Sequence, residues 1–247
     1  MEDLERFLPN QMNKFSAILQ WNCQGMKAKY EEIRILIHDY SPICIALQET
    51  MVGINKAPCP RDYSIFHIEY NAERGSHGGS ALLIRNDIPH APVDLQTSFQ
   101  AVAVQVKLNR CYTICSLYLP PSENISEREL SNLCQQLPQP FLVLGDVNGR
   151  HYMWGDTVTN RRGDIVFSFI ESQNLGILNS GEPTHFHIQT GSFSRIDISI
   201  CDTSCLLDFT WEVDGDRHGS DHFPIILKTA DQAPLSRSPR WCIDRAN

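Results

Sequence analysis

The acidic residues of this chain fall at the ends of its apolar runs. Ile43 to Leu47 is followed by Gln48-Glu49, Phe141 to Leu144 by Gly145-Asp146 and Arg195-Ile196 by Asp197, while the run from Phe223 is preceded by Ser220-Asp221-His222. Short continuous apolar runs read as strands buried on both faces, so carboxylates at their ends gather in a common layer. Gathered carboxylates repel and raise one another's pKa unless a cation neutralises them. A hard divalent ion with oxygen ligands is the matching partner: magnesium suits one or two carboxylates with waters and a phosphate, whereas zinc would want His or Cys. Each fragment alone has a plainer reading. Gly145-Asp146-Val147-Asn148-Gly149 is a good turn, Glu49 a strand-rim residue, and Asp221 a turn cap beside a satisfied His222. Asp197, flanked by Ile196 and Ile198, needs a partner wherever that strand is buried.

The elements around these runs alternate between strand and helix. Ser16 to Asn22 reads as a strand. Tyr30, Ile33, Ile37 and Tyr40 recur at helical spacing and predict a helix over 27–40 that Pro42 ends. Gly75 to Gly79 turns the chain into a strand at 80–85. Val102, Val104, Val106 and Leu108 alternate with polar residues, which predicts a half-buried strand, with Cys111 to Leu119 as its hairpin partner up to Pro120-Pro121. Ser126-x-x-Glu129 is a capping box opening a helix to about 137. A third helix is predicted over 164–174, and strands near 176–178, 195–200, 209–213 and 223–228, so that strands outnumber helices by at least two to one. The organisation expected is an N-terminal extension 1–15, one domain 16–228, and a linker 229–247 containing Pro234 and Pro239.

A net charge of −8 and a pI near 5.5 exclude a basic, charge-driven nucleic-acid binder, and 42% hydrophobic residues exclude disorder. Nine cysteines, an odd number mostly inside apolar runs, read as reduced, buried thiols. Cys111-x3-Cys115 and Cys201-x3-Cys205 raise zinc as an alternative, but neither has C-x2-C spacing. The start lacks the basic-then-apolar order of a secretory signal, and no run approaches the ~20 apolar residues of a membrane span. An intracellular, reducing location is expected.

Taken in order, Trp21-Asn22-Cys23-Gln24-Gly25, Gln48-Glu49-Thr50, Tyr118 before Pro120-Pro121, Gly145-Asp146-Val147-Asn148, Arg195-Ile196-Asp197 and Ser220-Asp221-His222 form a joint motif set. From about Ala17 to Leu227 the chain resembles the endonuclease/exonuclease/phosphatase superfamily of DNase-I-like nucleases and apurinic endonucleases. Asn22-x-x-Gly25, Gly78-Gly79-Ser80-Ala81, Trp154-Gly155, Asn160-Arg161-Arg162-Gly163, Leu178-Asn179 and Pro183-Thr184 make it most similar to the endonuclease domain of a jockey-like non-LTR retrotransposon. The resemblance implies an α/β fold, a four-layer sandwich of two mixed β-sheets flanked by helices. It also implies a domain followed in the full-length protein by a reverse transcriptase.

The same resemblance implies an enzyme that nicks double-stranded DNA with Mg²⁺, or Mn²⁺ as a substitute, and leaves a 3′ hydroxyl to prime reverse transcription. Glu49 would hold the metal with help from Asn22 and Asp221. Asp146 and Asn148 would orient and deprotonate water, His222 would touch the phosphate with Asp197 holding its ring, and Tyr118 would offer its phenol to a phosphate oxygen. Thr184 and Ser220 would assist the phosphate. Arg150, Arg161, Arg162 and Arg195 would hold DNA, and the hairpin 185–194 would enter its groove, while Asp202, Asp208, Glu212, Asp214 and Asp216 make a solvated acidic face. Gln24 stands where apurinic endonucleases carry Asp, which removes one carboxylate ligand and favours a single metal. The alternatives are a repair-type apurinic endonuclease, a catalytically silent nucleic-acid-binding module, and a phosphoinositide phosphatase; the last is set aside because Trp241-Cys242-Ile243-Asp244-Arg245 carries an extra residue and follows His222. A nuclear location is expected from a chromosomal substrate.

Overall fold

The computed structural model describes residues 16–53, 57–68 and 78–229. The extension 1–15, residues 75–77 of the glycine turn, and the linker from 230 onward with Trp241-Cys242 lie outside the described residues. In chain order the first elements are β1 (Ala17–Asn22), α1 (Tyr30–Tyr40), β2 (Cys44–Gln48), β3 (Tyr63–His67), β4 (Ser80–Arg85), β5 (His90–Val93), β6 (Gln100–Lys107) and β7 (Cys111–Tyr118). After them come α2 (Glu127–Cys134), β8 (Phe141–Asp146), α3 (Arg161–Ser172), β9 (Leu175–Ile177), β10 (His185–His187), β11 (Ser192–Ser194), β12 (Asp197–Asp202), β13 (Phe209–Val213) and β14 (Ile225–Thr229).

Two six-stranded sheets form, ordered β13-β14-β1-β2-β4-β3 and β5-β6-β7-β8-β12-β9, with β10-β11 as a separate ribbon. Each is mixed: β1 runs parallel to β2 and β7 parallel to β8, while the other pairs are antiparallel. Three apolar clusters fix the layers. Ile33 and Leu36 of α1 pack on Leu19, Trp21, Ile45 and Leu47. Ile18, Cys44, Ala46 and Leu82 of the first sheet meet Val104, Ile114, Leu142 and Leu144 of the second. Leu130 and Leu133 of α2 and Val166 and Phe169 of α3 cover Cys115, Leu117, Val143 and Ile198. The result is helix, sheet, sheet, helix, the DNase-I-like sandwich expected. No helix among the described residues is long and apolar enough to cross a membrane.

Side chains alternate across a strand, so membership in these clusters gives each residue's face. Ile18 faces the second sheet, which puts Gln20 and Asn22 on that face too. By the same parity Leu142 and Leu144 carry Asp146 inward, and Cys201 carries Ser199 and Asp197. The shared core therefore changes along the strands from apolar, through hydrogen-bonded polar, to acidic. In its middle layer the Gln20 amide donates to the carbonyls of Gly145 (3.2 Å) and Ile198 (3.3 Å) and accepts from Ser199 Oγ (2.7 Å). Gln48 donates to Ser116 Oγ (2.9 Å), and Ser80 to the Ser116 carbonyl (3.0 Å). These bonds cross between sheets and fix their relative register.

Several boundaries differ from the sequence reading, each for a local reason. α1 begins at Tyr30 rather than Lys27, because residues 26–29 form turns in which the amides of Gly25 and Met26 bond the carbonyls of Glu49 and Thr50. α3 begins at Arg161 rather than Asp164, because Asn160 Oδ1 accepts the Gly163 amide (2.8 Å) as an N-cap. Gly163 is required there: a Cβ would lie 1.9 Å from the Arg150 carbonyl oxygen. β3, β5 and the short β10 and β11 raise the strand count well above two per helix.

Gln20 is fully buried and satisfies three groups. Gln20→Ala should destabilise the protein by about 1–3 kcal/mol, the cost of stranding buried polar partners, measured as a lowered urea midpoint at unchanged slope. An unaltered midpoint would contradict the role given to this layer.

Candidate active site

The sheet registers bring the polar ends of five strands together. Tyr118 pairs with Asp146 across β7 and β8, and Asp146 with Asp197 across β8 and β12, so the three form one row of the second sheet. Asn22 pairs with Gln48 at the matching end of the first sheet, and Glu49 follows directly. Asn22 Nδ2 donates to Glu49 Oε1 (3.0 Å) and to Asp146 Oδ2 (2.8 Å), joining the sheets. Tyr118 OH donates to the same Glu49 oxygen (2.9 Å). Asp146 Oδ1 accepts the Asn148 amide (3.0 Å), whose side chain donates to the Leu119 carbonyl (3.3 Å). Glu49 and Asn148 both have left-handed backbones, with φ of 49° and 50°. Such a conformation at a non-glycine residue costs of order 1–3 kcal/mol and tends to occur at functional sites.

The segment before β14 supplies the histidine. His222 Nδ1 lies 2.8 Å from Asp197 Oδ2 and 3.0 Å from Oδ1, and its backbone carbonyl accepts from Trp21 Nε1 (3.1 Å). Its Nε2 faces Asp221 Oδ1 at 3.6 Å and Asp146 Oδ2 at 3.9 Å. Ser220 Oγ donates to the Asn22 carbonyl (2.9 Å), and Gln24 Oε1 accepts the Asp221 amide (3.3 Å). Thr184 Oγ1 accepts the Asp197 amide (3.2 Å). Ser220 and Thr184 are thus buried supports of Asn22 and Asp197.

Burial and charge shift these groups in opposite directions. Desolvation, reinforced by Asp197, raises the Asp146 carboxyl well above its ordinary range. Burial alone would lower the His222 imidazolium, but the charge and hydrogen bond of Asp197, with Asp146 and Asp221, outweigh it and push it up to about 10. The Tyr118 phenol is raised by burial and by Glu49 and Asp146, so it stays a donor.

Among the described residues, Asp146–Asp197–His222 and His185–Asp221–His222 each place three ligand-type atoms within 4.8 Å of one another; Glu49 is in neither trio. Asp221 Oδ1 is buried with no hydrogen-bond partner. The Asp146–Asp197 carboxylate pair of the first trio is a donor set that fits a hard divalent cation, whereas Asp221 is flanked by the Nε2 atoms of His185 and His222. Of the expected metal ligands, Glu49 and Asn22 are adjacent, but Asn22 presents its amide nitrogen to the carboxylates while its oxygen accepts the Gln24 amide (3.2 Å).

The arginines are mostly committed elsewhere. Arg150 places Nε and Nη2 on Asp156 Oδ1 (3.0 and 2.8 Å). Arg195 Nε donates to the Gly181 carbonyl (3.0 Å), and Arg162 Nη2 to the carbonyls of Pro120 (2.7 Å) and Glu123 (2.5 Å). Arg161 is exposed. Nor is the acidic run a solvated face throughout. Asp214 accepts from Tyr40 OH (2.6 Å) and faces His218, and Asp208 pairs with Arg110. Sequence reasoning missed Asp156, buried beneath Arg150 and the Arg195 amide (2.9 Å), although it follows the Trp154-Gly155 motif. It also missed His185, whose Nε2 lies 3.6 Å from Asp221 Oδ2.

Residues 112–226 match the family model described as endonuclease-reverse transcriptase. The probable RNA-directed DNA polymerase from transposon BS of Drosophila melanogaster is 25% identical over 236 residues, covering 90% of this chain and 25% of that protein. The RNA-directed DNA polymerase from mobile element jockey, also of Drosophila melanogaster, is 26% identical over 67% of this chain and 18% of its own length. The chain thus spans about a quarter or less of these relatives. Among solved structures, the endonuclease domain of TRAS1, a telomere-specific non-LTR retrotransposon, superimposes with a TM-score of 0.74 at 24% identity, covering 87% of this chain and 98% of that one. An AP endonuclease of Leishmania major gives 0.68 at 12% identity, covering 87% of each chain. The resemblance drawn from the motifs holds: this chain is similar to the endonuclease domain of a jockey-like non-LTR retrotransposon.

His222 has a raised folded pKa, so its stabilising contribution is complete below its ordinary value of 6.5 and is lost as pH rises through about 10. Nitrogen NMR should find the His222 ring doubly protonated through pH 8 in metal-free protein, and Asp197→Asn should lower that pKa. A ring that titrates near 6.5 in both proteins would contradict the assignment.

Proposed function

We propose that this chain, through its likeness to retrotransposon endonuclease domains, is a divalent-metal-dependent enzyme. It nicks double-stranded DNA by phosphodiester hydrolysis and leaves a 3′ hydroxyl that primes reverse transcription. The observation that carries this reading is the convergence of Asn22, Glu49 and His222, from or beside strands of one sheet, on Tyr118, Asp146 and Asp197 of the other.

A phosphodiester resists hydrolysis because its charge repels the nucleophile, so an enzyme must neutralise the phosphate, place water in line and stabilise the departing oxygen. Asp146, held in place by Asn22 and the Asn148 amide, accepts the proton of the attacking water. Its raised pKa brings it toward the working range of a general base. His222, kept charged by Asp197, donates from Nε2 to a phosphate oxygen, and the Tyr118 phenol donates to another. Glu49 and Asp221 would hold Mg²⁺, or Mn²⁺ in its place, which would supply neutralisation of the phosphate and the departing oxygen. Asn22 acts here as the clamp between carboxylates. Of the four arginines expected to hold DNA, Arg161 is the exposed one and reaches DNA together with the β10-β11 ribbon. The match to a fraction of longer RNA-directed DNA polymerases supports covalent continuity with a reverse transcriptase, and a chromosomal target supports a nuclear site of action.

With Mg²⁺, the wild type should convert supercoiled plasmid to open circles, and His222→Ala or Asp146→Ala should each lower the rate by at least about 10²-fold. Polymerase extension from the nicks checks for the 3′ hydroxyl. Cutting confined to abasic sites would move the reading to repair, and no cutting with any divalent metal would overturn it in favour of a binding module.

A further inference from the structure

We propose that His185, Asp221 and His222 form an ion site of a second kind, selective for a borderline transition-metal ion such as Zn²⁺ over Mg²⁺. His185 and His222 face each other across an isolated antiparallel bridge, with ring centroids 4.7 Å apart. Their Nε2 atoms lie 3.6 Å from Asp221 Oδ2 and 3.6 Å from Asp221 Oδ1, respectively. A tetrahedral ion with bonds of about 2.0–2.1 Å sets its ligand atoms about 3.3–3.4 Å apart, so small shifts would seat one here. Three protein ligands leave a fourth position open, the arrangement of a non-structural zinc site.

The atoms behind the ligands point the same way. An imidazole that binds metal through one nitrogen has the other fixed by a carboxylate or similar partner. His222 Nδ1 is held by Asp197 (2.8 Å) and His185 Nδ1 by Ser194 Oγ (2.9 Å), so in each ring Nε2 is the nitrogen turned toward Asp221. Asp221 Oδ1 is buried and makes no hydrogen bond. Two imidazoles and one carboxylate favour Zn²⁺ and its neighbours, whereas Mg²⁺ prefers oxygen alone. On binding, any proton on either Nε2 passes to water and the ion takes its place between the ring and the carboxylate. Binding itself does not depend on the nuclease reading. Its consequence does: Asp221 and His222 are shared, so an ion here would withhold His222 from the phosphate and inhibit Mg²⁺-supported nicking.

Co²⁺, used as a visible stand-in for Zn²⁺, should give a one-to-one, low-coordinate spectrum without a thiolate charge-transfer band. Calorimetry should show Zn²⁺ binding that persists under a large excess of Mg²⁺. His185→Ala should weaken Zn²⁺ affinity by more than about tenfold, and Ser194→Ala, which removes only the partner of the ring, by about tenfold; thermal melts would confirm that both variants fold. Equal affinity in wild type and His185→Ala, a thiolate spectrum, or ready displacement of Zn²⁺ by Mg²⁺ would overturn the site. In the plasmid assay, Zn²⁺ should inhibit the wild type more strongly than His185→Ala. A wild type that binds Zn²⁺ but never nicks would refute the nuclease reading and leave the site standing.

Discussion

The arrangement depends on the polar layer that crosses between the two sheets. Gln20 reaches the backbone of β8 and β12, and Gln48 reaches Ser116 and the Leu144 carbonyl. Buried amides are costly without partners, so these bonds allow one registration of the sheets. That registration places Asn22 between Glu49 and Asp146, carboxylates that stand on opposite sheets. A site assembled from strand ends is held by the most rigid part of the fold, where small displacements are resisted by close packing.

The electrostatics follow from that placement. Asp146 and Asp197 are both buried and lie opposite each other on neighbouring strands, so their charges oppose one another. The His222 imidazolium relieves this by sitting against Asp197 with its other nitrogen toward Asp146 and Asp221. The site therefore holds one fixed cation and still has more carboxylates than that cation can neutralise. Burial, reinforced by the charge of Asp197, raises the Asp146 carboxyl, and the orphaned Asp221 oxygen marks where neutralisation is incomplete. Asp221 itself is held below its ordinary pKa; its burial works against this, but the neighbouring His185 and His222 outweigh it.

Much of this was legible because strand ends are local. The apolar run Phe141 to Leu144 predicts a strand that ends at Asp146, and the carboxylates after Ile43 to Leu47 and within Ile196-Asp197-Ile198 lie where that logic puts them. β3 and β5 were missed because both are edge strands with only partial burial, and β5 contains Pro92. What a strand reading cannot give is the long-range partner of a flexible side chain. Asp156 beneath Arg150 was not seen, and Asp214 looked solvated but meets Tyr40, 174 residues earlier in the chain. His185 read as the first residue of a hairpin expected to enter a DNA groove, and only the bridge to His222 sets it beside the acidic centre.

The central claim is that carboxylates from two sheets form one working unit rather than two independent features. A double-mutant cycle on Glu49→Gln and Asp146→Asn, read as the rate of phosphodiester cleavage with all variants shown folded, tests this most directly. The expected result is strong non-additivity, with the double variant hardly slower than the slower single. Rate losses that simply multiply would show that Glu49 and Asp146 act independently, contradicting the account.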